Sequence, residues 1–106
     1  MGGNPFAGEA VLVLDGERHL LKLTLGALAE LEMAMEADSI VAMVARFETG
    51  AFSARDVVRL LLAGLRGGGW RGDAARLLEA DIEGGPVEAT RVAASLLGRA
   101  FALPQA

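Results

Sequence analysis

The sequence predicts an α+β fold, mainly α, in which an N-terminal β-hairpin is followed by about five helices in a compact bundle. Three observations carry that reading. Two apolar-rich runs, Ala10-Val11-Leu12-Val13-Leu14 and Leu20-Leu21-Lys22-Leu23, flank Asp15-Gly16, a dipeptide that tolerates the positive φ of a tight turn. From residue 25 to residue 103, apolar side chains recur at spacings of three and four, as an amphipathic helix requires. Those segments are bounded by Thr, Ser or Asp at their starts and by glycine at several of their ends. A chain of 106 residues holds a single domain, 1–106, with 1–8 read as a flexible N-terminal tail, 9–24 as the hairpin and 25–103 as helical.

Loop length decides which hairpin face is apolar. A two-residue loop puts Leu12, Leu14, Leu21 and Leu23 together with His19, whereas a three-residue loop with a bulge groups Val11, Val13, Leu21 and Leu23 with it. The second grouping leaves Arg18 and Lys22 on the other face and is the preferred reading. After Thr24, an N-cap, residues 25–36 carry Leu28, Leu31 and Met35 on one stripe, with Glu30, Glu32 and Glu36 marking the wetter sides. A second helix starts after Asp38 or Ser39 and runs to about Glu48, burying Ile40, Met43, Val44 and Phe47, with Gly50 as its stop.

Ser53-Ala54-Arg55-Asp56 is a capping box with Asp in place of Glu or Gln, and it opens the most apolar helix, 54–66. Val57, Val58, Leu60, Leu61, Leu62 and Leu65 cover nearly every side of that helix, so it is either central or docked on a partner. Gly67-Gly68-Gly69 ends it. A shorter helix over 72–83 uses Leu77, Leu78 and Ile82, and Gly84-Gly85 bounds it. Pro86 suits the start of the last helix, which runs to about Leu103 with Glu88, Arg91, Ser95 and Arg99 on a narrow polar stripe.

Composition removes several functions. Cysteine is absent and His19 is the single histidine, which excludes disulfides, thiolate zinc sites and a multi-histidine metal centre within one chain. Tyrosine is absent too, and with four Phe and one Trp there is little material for stacking bases. A net charge of −4 is a poor match to a phosphate backbone, so nucleic acid is not expected as a partner. Residues 1–50 hold three basic and eight acidic side chains and residues 51–106 seven and six, an asymmetry that favours head-to-tail contacts or reflects a mixed solvated surface. No stretch approaches the roughly 18 apolar residues of a membrane span and no signal peptide precedes the hairpin, so no membrane partner and a cytoplasmic location are expected.

Apparent catalytic patterns dissolve on inspection. Gly67-Gly68-Gly69-Trp70-Arg71-Gly72 satisfies G-x-G-x-x-G, but a helix rather than a strand precedes it, and the reading is a helix stop with a turn. A triad would need His19 to meet Ser39, Ser53 or Ser95, and two of those serines cap helices. No enzyme, cofactor or metal is expected. Trp70 stands out as a lone indole in a glycine-rich turn, either a cap on the core or an anchor for a partner.

The segments Leu23-Thr24-Leu25-Gly26-Ala27-Leu28-Ala29-Glu30-Leu31-Glu32, Arg46-Phe47-Glu48-Thr49-Gly50 and Ser53 through Gly67 resemble the gene transfer agent family of small phage-tail proteins. The resemblance covers roughly residues 9–103, and Leu14-Asp15-Gly16 and Ala93-Ala94-Ser95-Leu96-Leu97 fit it as well. That family has been described both as tail tube protein and as tail assembly chaperone. A tube subunit is expected to be β-rich, and this chain offers one hairpin and about five helices. The resemblance therefore implies a chaperone that binds and shields the tape measure protein, or another tail protein, during assembly. The alternative is a structural component, a tube or tail-terminator ring subunit. Partner contacts are then expected at Val58, Leu62, Trp70, Leu97 and Phe101, on and around the third and last helices, and self-association of the chain is left open.

Overall fold

The computed structural model describes residues 9–101. β1 (Glu9–Leu14) and β2 (Glu17–Lys22) form an antiparallel two-stranded sheet. Five helices follow, α1 (Leu25–Ala34), α2 (Ile40–Thr49), α3 (Ala54–Gly67), α4 (Ala74–Glu79) and α5 (Gly85–Ala100). The α+β, mainly helical architecture is the one the sequence predicts. The expected tail at 1–8 and the end of the last helix at Leu103 lie outside the described residues.

The hairpin corrects the preferred loop. Leu14 pairs with Glu17, which leaves the two residues Asp15 and Gly16 in the loop, with φ of 51° and 83°. Two successive positive φ angles make a type I′ turn, whose twist matches the strands without a bulge. Leu12, Leu14, Leu21 and Leu23 are consequently buried, while Val11 is exposed. His19 pairs with Leu12 and is half-buried on that face.

Each long side of this small sheet is covered in part. In a two-residue hairpin the pairs alternate, so Arg18, Leu20 and Lys22 turn their carbonyls away from β1. Gly67 and Gly68, at the end of α3, press against the carbonyl oxygens of Lys22 and Leu20 so closely that a Cβ on either glycine would collide with them. On the other side Ile82 bridges Leu14, the Glu83 amide donates to the Val13 carbonyl at 3.1 Å, and the Asp15 amide donates to the Asp81 carbonyl at 2.8 Å. Asp15 Oδ1 also accepts from the Asp81 amide at 2.9 Å.

α3 is the central element, packed against β2, α5, α1 and α4. Its capping box is complete: Ser53 Oγ accepts from the Asp56 amide at 3.2 Å and Asp56 Oδ2 from the Ser53 amide at 3.0 Å. Leu60, Leu61 and Leu65 are each 2% exposed or less. Gly64 sits where α3 crosses β2 and α5, and a Cβ there would lie 2.5 Å from Leu96 Cδ2 and 3.1 Å from Leu21 Cβ. The other caps follow the sequence too, with Thr24 Oγ1 accepting from Ala27, Ser39 Oγ from Ala42, and Gly50 closing α2 in the left-handed conformation.

α4 departs from expectation. It spans only Ala74–Glu79, capped by Asp73, because Ile82 is drawn into the bridge with Leu14 instead of completing a helical stripe. Leu78, expected on the apolar side, is 68% exposed. α5 begins one residue before Pro86 and buries Ala89, Val92, Ala93, Leu96 and Leu97 against β1 and α3.

Candidate partner-binding surface

Large apolar side chains in water stand on α1, α2, α4 and α5, and none stands on α3 among the described residues. Leu25 and Met33 on α1 are 84% and 80% exposed, and Val41, Leu78 and Val87 are likewise open to solvent. On α1 the buried stripe is Ala27, Leu31 and Met35, with Leu28 half-buried. Leu25, Ala29 and Met33, spaced by four, form a second stripe on the other side. That second stripe is visible in the sequence as a repeat of its own.

An apolar groove of about 390 Å³ lies between α3, α4 and the start of α5. Val57, Leu61, Leu77 and Ala89 form its buried floor, and Val58 and Leu78 its more open wall. α4 ends early, and Ala80 to Ile82, which continue from it toward the hairpin, border the groove on that side. Asp81 is the only charged residue among those lining it.

A second recess, about 550 Å³, lies between the outer face of the hairpin and α5 and is lined by Val11, Leu20, Arg18, Arg91, Arg99 and Ser95 among others. His19 lines it as well. It stands 3.8 Å from Glu17 and meets the edge of Trp70 with ring centroids 6.4 Å apart, and no hydrogen bond joins it to Ser95 among the described residues. Arg91 is held by Glu88 through two hydrogen bonds of 2.9 and 2.6 Å, which lower the Glu88 pKa and raise that of Arg91.

The five residues expected to meet a partner are not brought together. Val58 lines the α3/α4/α5 groove. Leu62 faces α1 in a small recess with Leu31 and Ala34. Trp70 lies half-buried over Gly72, lining a separate recess with Ala27, Arg66 and Arg71. Phe101 caps α5 and is 42% exposed. Leu97 requires a correction: it is 3% exposed and belongs to the core, because α5 turns the Val92, Ala93, Leu96, Leu97 side inward.

Sequence reasoning also missed the polar clamp that ties α2 to α3. Arg46 meets Asp56 through Nε and Nη2 at 2.9 and 2.8 Å and Asp38 through Nη1 and Nη2 at 3.2 and 2.7 Å. Asp56 is the one charged side chain buried among the described residues. Hydrogen bonds from Arg46 are the main cause holding both carboxylates below their usual range, helped by the amide of Ser39 at Asp38 and that of Ser53 at Asp56. The same contacts raise the Arg46 pKa. The signal was Arg46 itself, a cation on the half-buried side of α2 in need of a counter-ion.

Fold and surface define a small, mainly helical α+β protein that presents apolar grooves, and among the described residues no group of acidic or imidazole side chains is placed to hold a metal ion. No described helix is long and apolar enough to cross a membrane. Residues 7–103 match the family described as phage tail tube protein, GTA-gp10, and the chain belongs to this family of phage and gene transfer agent tail assembly chaperones, which are typically non-enzymatic. No curated protein and no solved structure matches significantly.

Proposed function

We propose that the protein binds the tape measure protein and shields its apolar helical segments until the tail tube polymerises around it. Family membership carries this reading, since tail assembly chaperones act on tail proteins. The surface supports it: apolar side chains stand in water on α1, α2, α4 and α5, as a module that covers another chain requires. Val58, Trp70 and Phe101 are accessible enough to take part, and Leu62 contributes where α3 meets α1. Co-expression with a tape measure protein followed by affinity capture tests the reading. A stable complex and a gain in the partner's solubility are expected, and the absence of both overturns it.

A structural role is the second reading, favoured by the words "tail tube protein" in the family description. Against it stands the hairpin, whose β2 side is blocked by Gly67 and Gly68 and whose β1 side is occupied at Val13 and Leu14 by residues 81–83, which shortens the edge open to strand addition between subunits. Mass spectrometry of purified particles separates the two. A chaperone is depleted from finished tails, and stoichiometric retention would establish the structural role instead.

A further inference from the structure

Where residues 81–83 leave β1, the outer edge of the strand continues. Leu14 and Glu17 close the two-residue loop as a hydrogen-bonded pair, so Val11 and Val13 turn their N–H and C=O groups away from β2. Of these four groups the Val13 carbonyl accepts from the Glu83 amide, and the other three form no hydrogen bond with a described residue. Gly84 and Gly85, with φ of 88° and 66°, carry the chain off the strand and into α5. A third strand is therefore begun at the turn end of β1 and broken off beside Val11. We propose that the open part of this edge takes an extended acidic segment of a partner protein as a third strand, antiparallel to β1 and in line with residues 81–83. The proposed function concerns helical segments of the tape measure protein, and this assignment goes beyond it.

Backbone chemistry selects the form of the occupant. Main-chain donors and an acceptor along one strand edge are met by another extended backbone, whose outward groups are available, and not by a helix, whose groups are bonded within itself. Side chains set the pattern on that backbone. Val11 and Leu20 pair across the hairpin and stay 38% and 39% exposed although neither ends a strand, so an apolar residue opposite Val11 extends an apolar row on that face. Room for the strand exists: the 550 Å³ recess against α5 and a neighbouring one of about 480 Å³ toward the turn both include Val11 in their lining. Charge sets the rest. The lining of the larger recess contains Arg18, Arg91 and Arg99 and no carboxylate, whereas Glu83 and Glu88 line the other one, on the Val13 side. Arg91 keeps its pair with Glu88 and still borders both recesses. Carboxylates on either side of the apolar residue are therefore matched at the open end of the edge, and lysines there are opposed.

Titration of short synthetic peptides into the intact protein, followed by amide NMR, tests the assignment. Two peptides alternate valine with a charged residue, glutamate in one and lysine in the other. The glutamate peptide is expected to move the Val11 and Val13 amide resonances downfield and to slow their hydrogen exchange, and to bind about tenfold tighter than the lysine peptide. N-methylation of its valines, which lie opposite Val11 and exchange hydrogen bonds with it, is expected to abolish binding, whereas N-methylation of its glutamates leaves it intact. Val11→Pro removes an N–H that the hairpin itself does not use and is expected to weaken the glutamate peptide at least about tenfold. If that variant does not fold, the two N-methylated peptides still decide the matter on the unaltered protein. Absence of these shifts with the glutamate peptide, equal affinity for the two charge patterns, or equal loss from both N-methylations overturns the assignment. So does a shift of the same two amides with protein concentration alone, which would make a second copy the occupant.

Discussion

α1 and α3 are both apolar on more than one side, yet they meet opposite fates. α3 is enclosed by β2, α5, α1 and α4, so Leu60, Leu61 and Leu65 are removed from water on three sides. α1 buries Ala27, Leu31 and Met35 and leaves Leu25 and Met33 outside. The difference lies in topology. A helix in the middle of the packing order uses most of its apolar surface within the chain, whereas a peripheral helix with a second stripe leaves that stripe in water. Apolar surplus in a sequence therefore locates a surface only after the central element has been found.

The sharpest way to break the comparison is to change one apolar side chain on each helix. Leu60→Ala is expected to cost about 2 to 5 kcal/mol by leaving a cavity in a fully enclosed site, read as a lower urea midpoint at unchanged slope. Next comes the clamp between α2 and α3. Asp38 and Asp56 have folded pKa values below their unfolded ones, so their contribution to stability is complete above about pH 4 and disappears as the pH falls through the lowered folded values. Arg46→Met should therefore be clearly less stable than the parent at neutral pH, with the gap closing as the pH falls below about 4 through the lowered folded values. A gap independent of pH would show that Arg46 acts through packing alone.

Glycine substitutions give a finer measure of enclosure. Gly67→Ala drives a methyl group into the Lys22 carbonyl and is expected to cost about 1 to 3 kcal/mol. Gly98→Ala, on the exposed side of α5 with nothing near the new methyl, should instead stabilise by up to about 1 kcal/mol through helix propensity. Smallest of all is Met33→Gln on the outer stripe of α1, expected within about 0.5 kcal/mol of the parent in thermal unfolding. A larger loss there would mean that α1 is better covered than its exposure indicates.

What was legible in the sequence is what is decided locally. Thr24, Ser39 and the Ser53/Asp56 box cap their helices because the donors they satisfy lie two or three residues away. Hairpin, helix count and the left-handed stop at Gly50 follow for the same reason. The misread features depend on distant partners. Ile82 looked helical by spacing and became extended because Leu14, far away in the chain, offered it a bridge. Arg46 acquires its meaning from Asp56, ten residues on and in the next helix. The hairpin face turned on one residue of loop length, which Asp15-Gly16 and its strong type I′ preference resolve. The expected contact residues scatter because apolar character alone does not separate Leu97, in the core, from Phe101, at a helix end.

One consequence of the covered hairpin concerns the order in which the chain is made. β1 leaves the ribosome well before the residues that meet its outer side at Val13 and Leu14, Asp81 to Glu83, which are separated from it by 66 positions of sequence at the Asp15–Asp81 contact. At the usual pace of about 5 to 20 residues per second, β1 waits roughly 3 to 13 seconds with that side bare. During this interval β1 is paired with β2 on one side only, and its other edge stands open beside a partly formed core. The arrival of residues 81–83 therefore shortens the period in which that end of β1 is open to pairing with another chain.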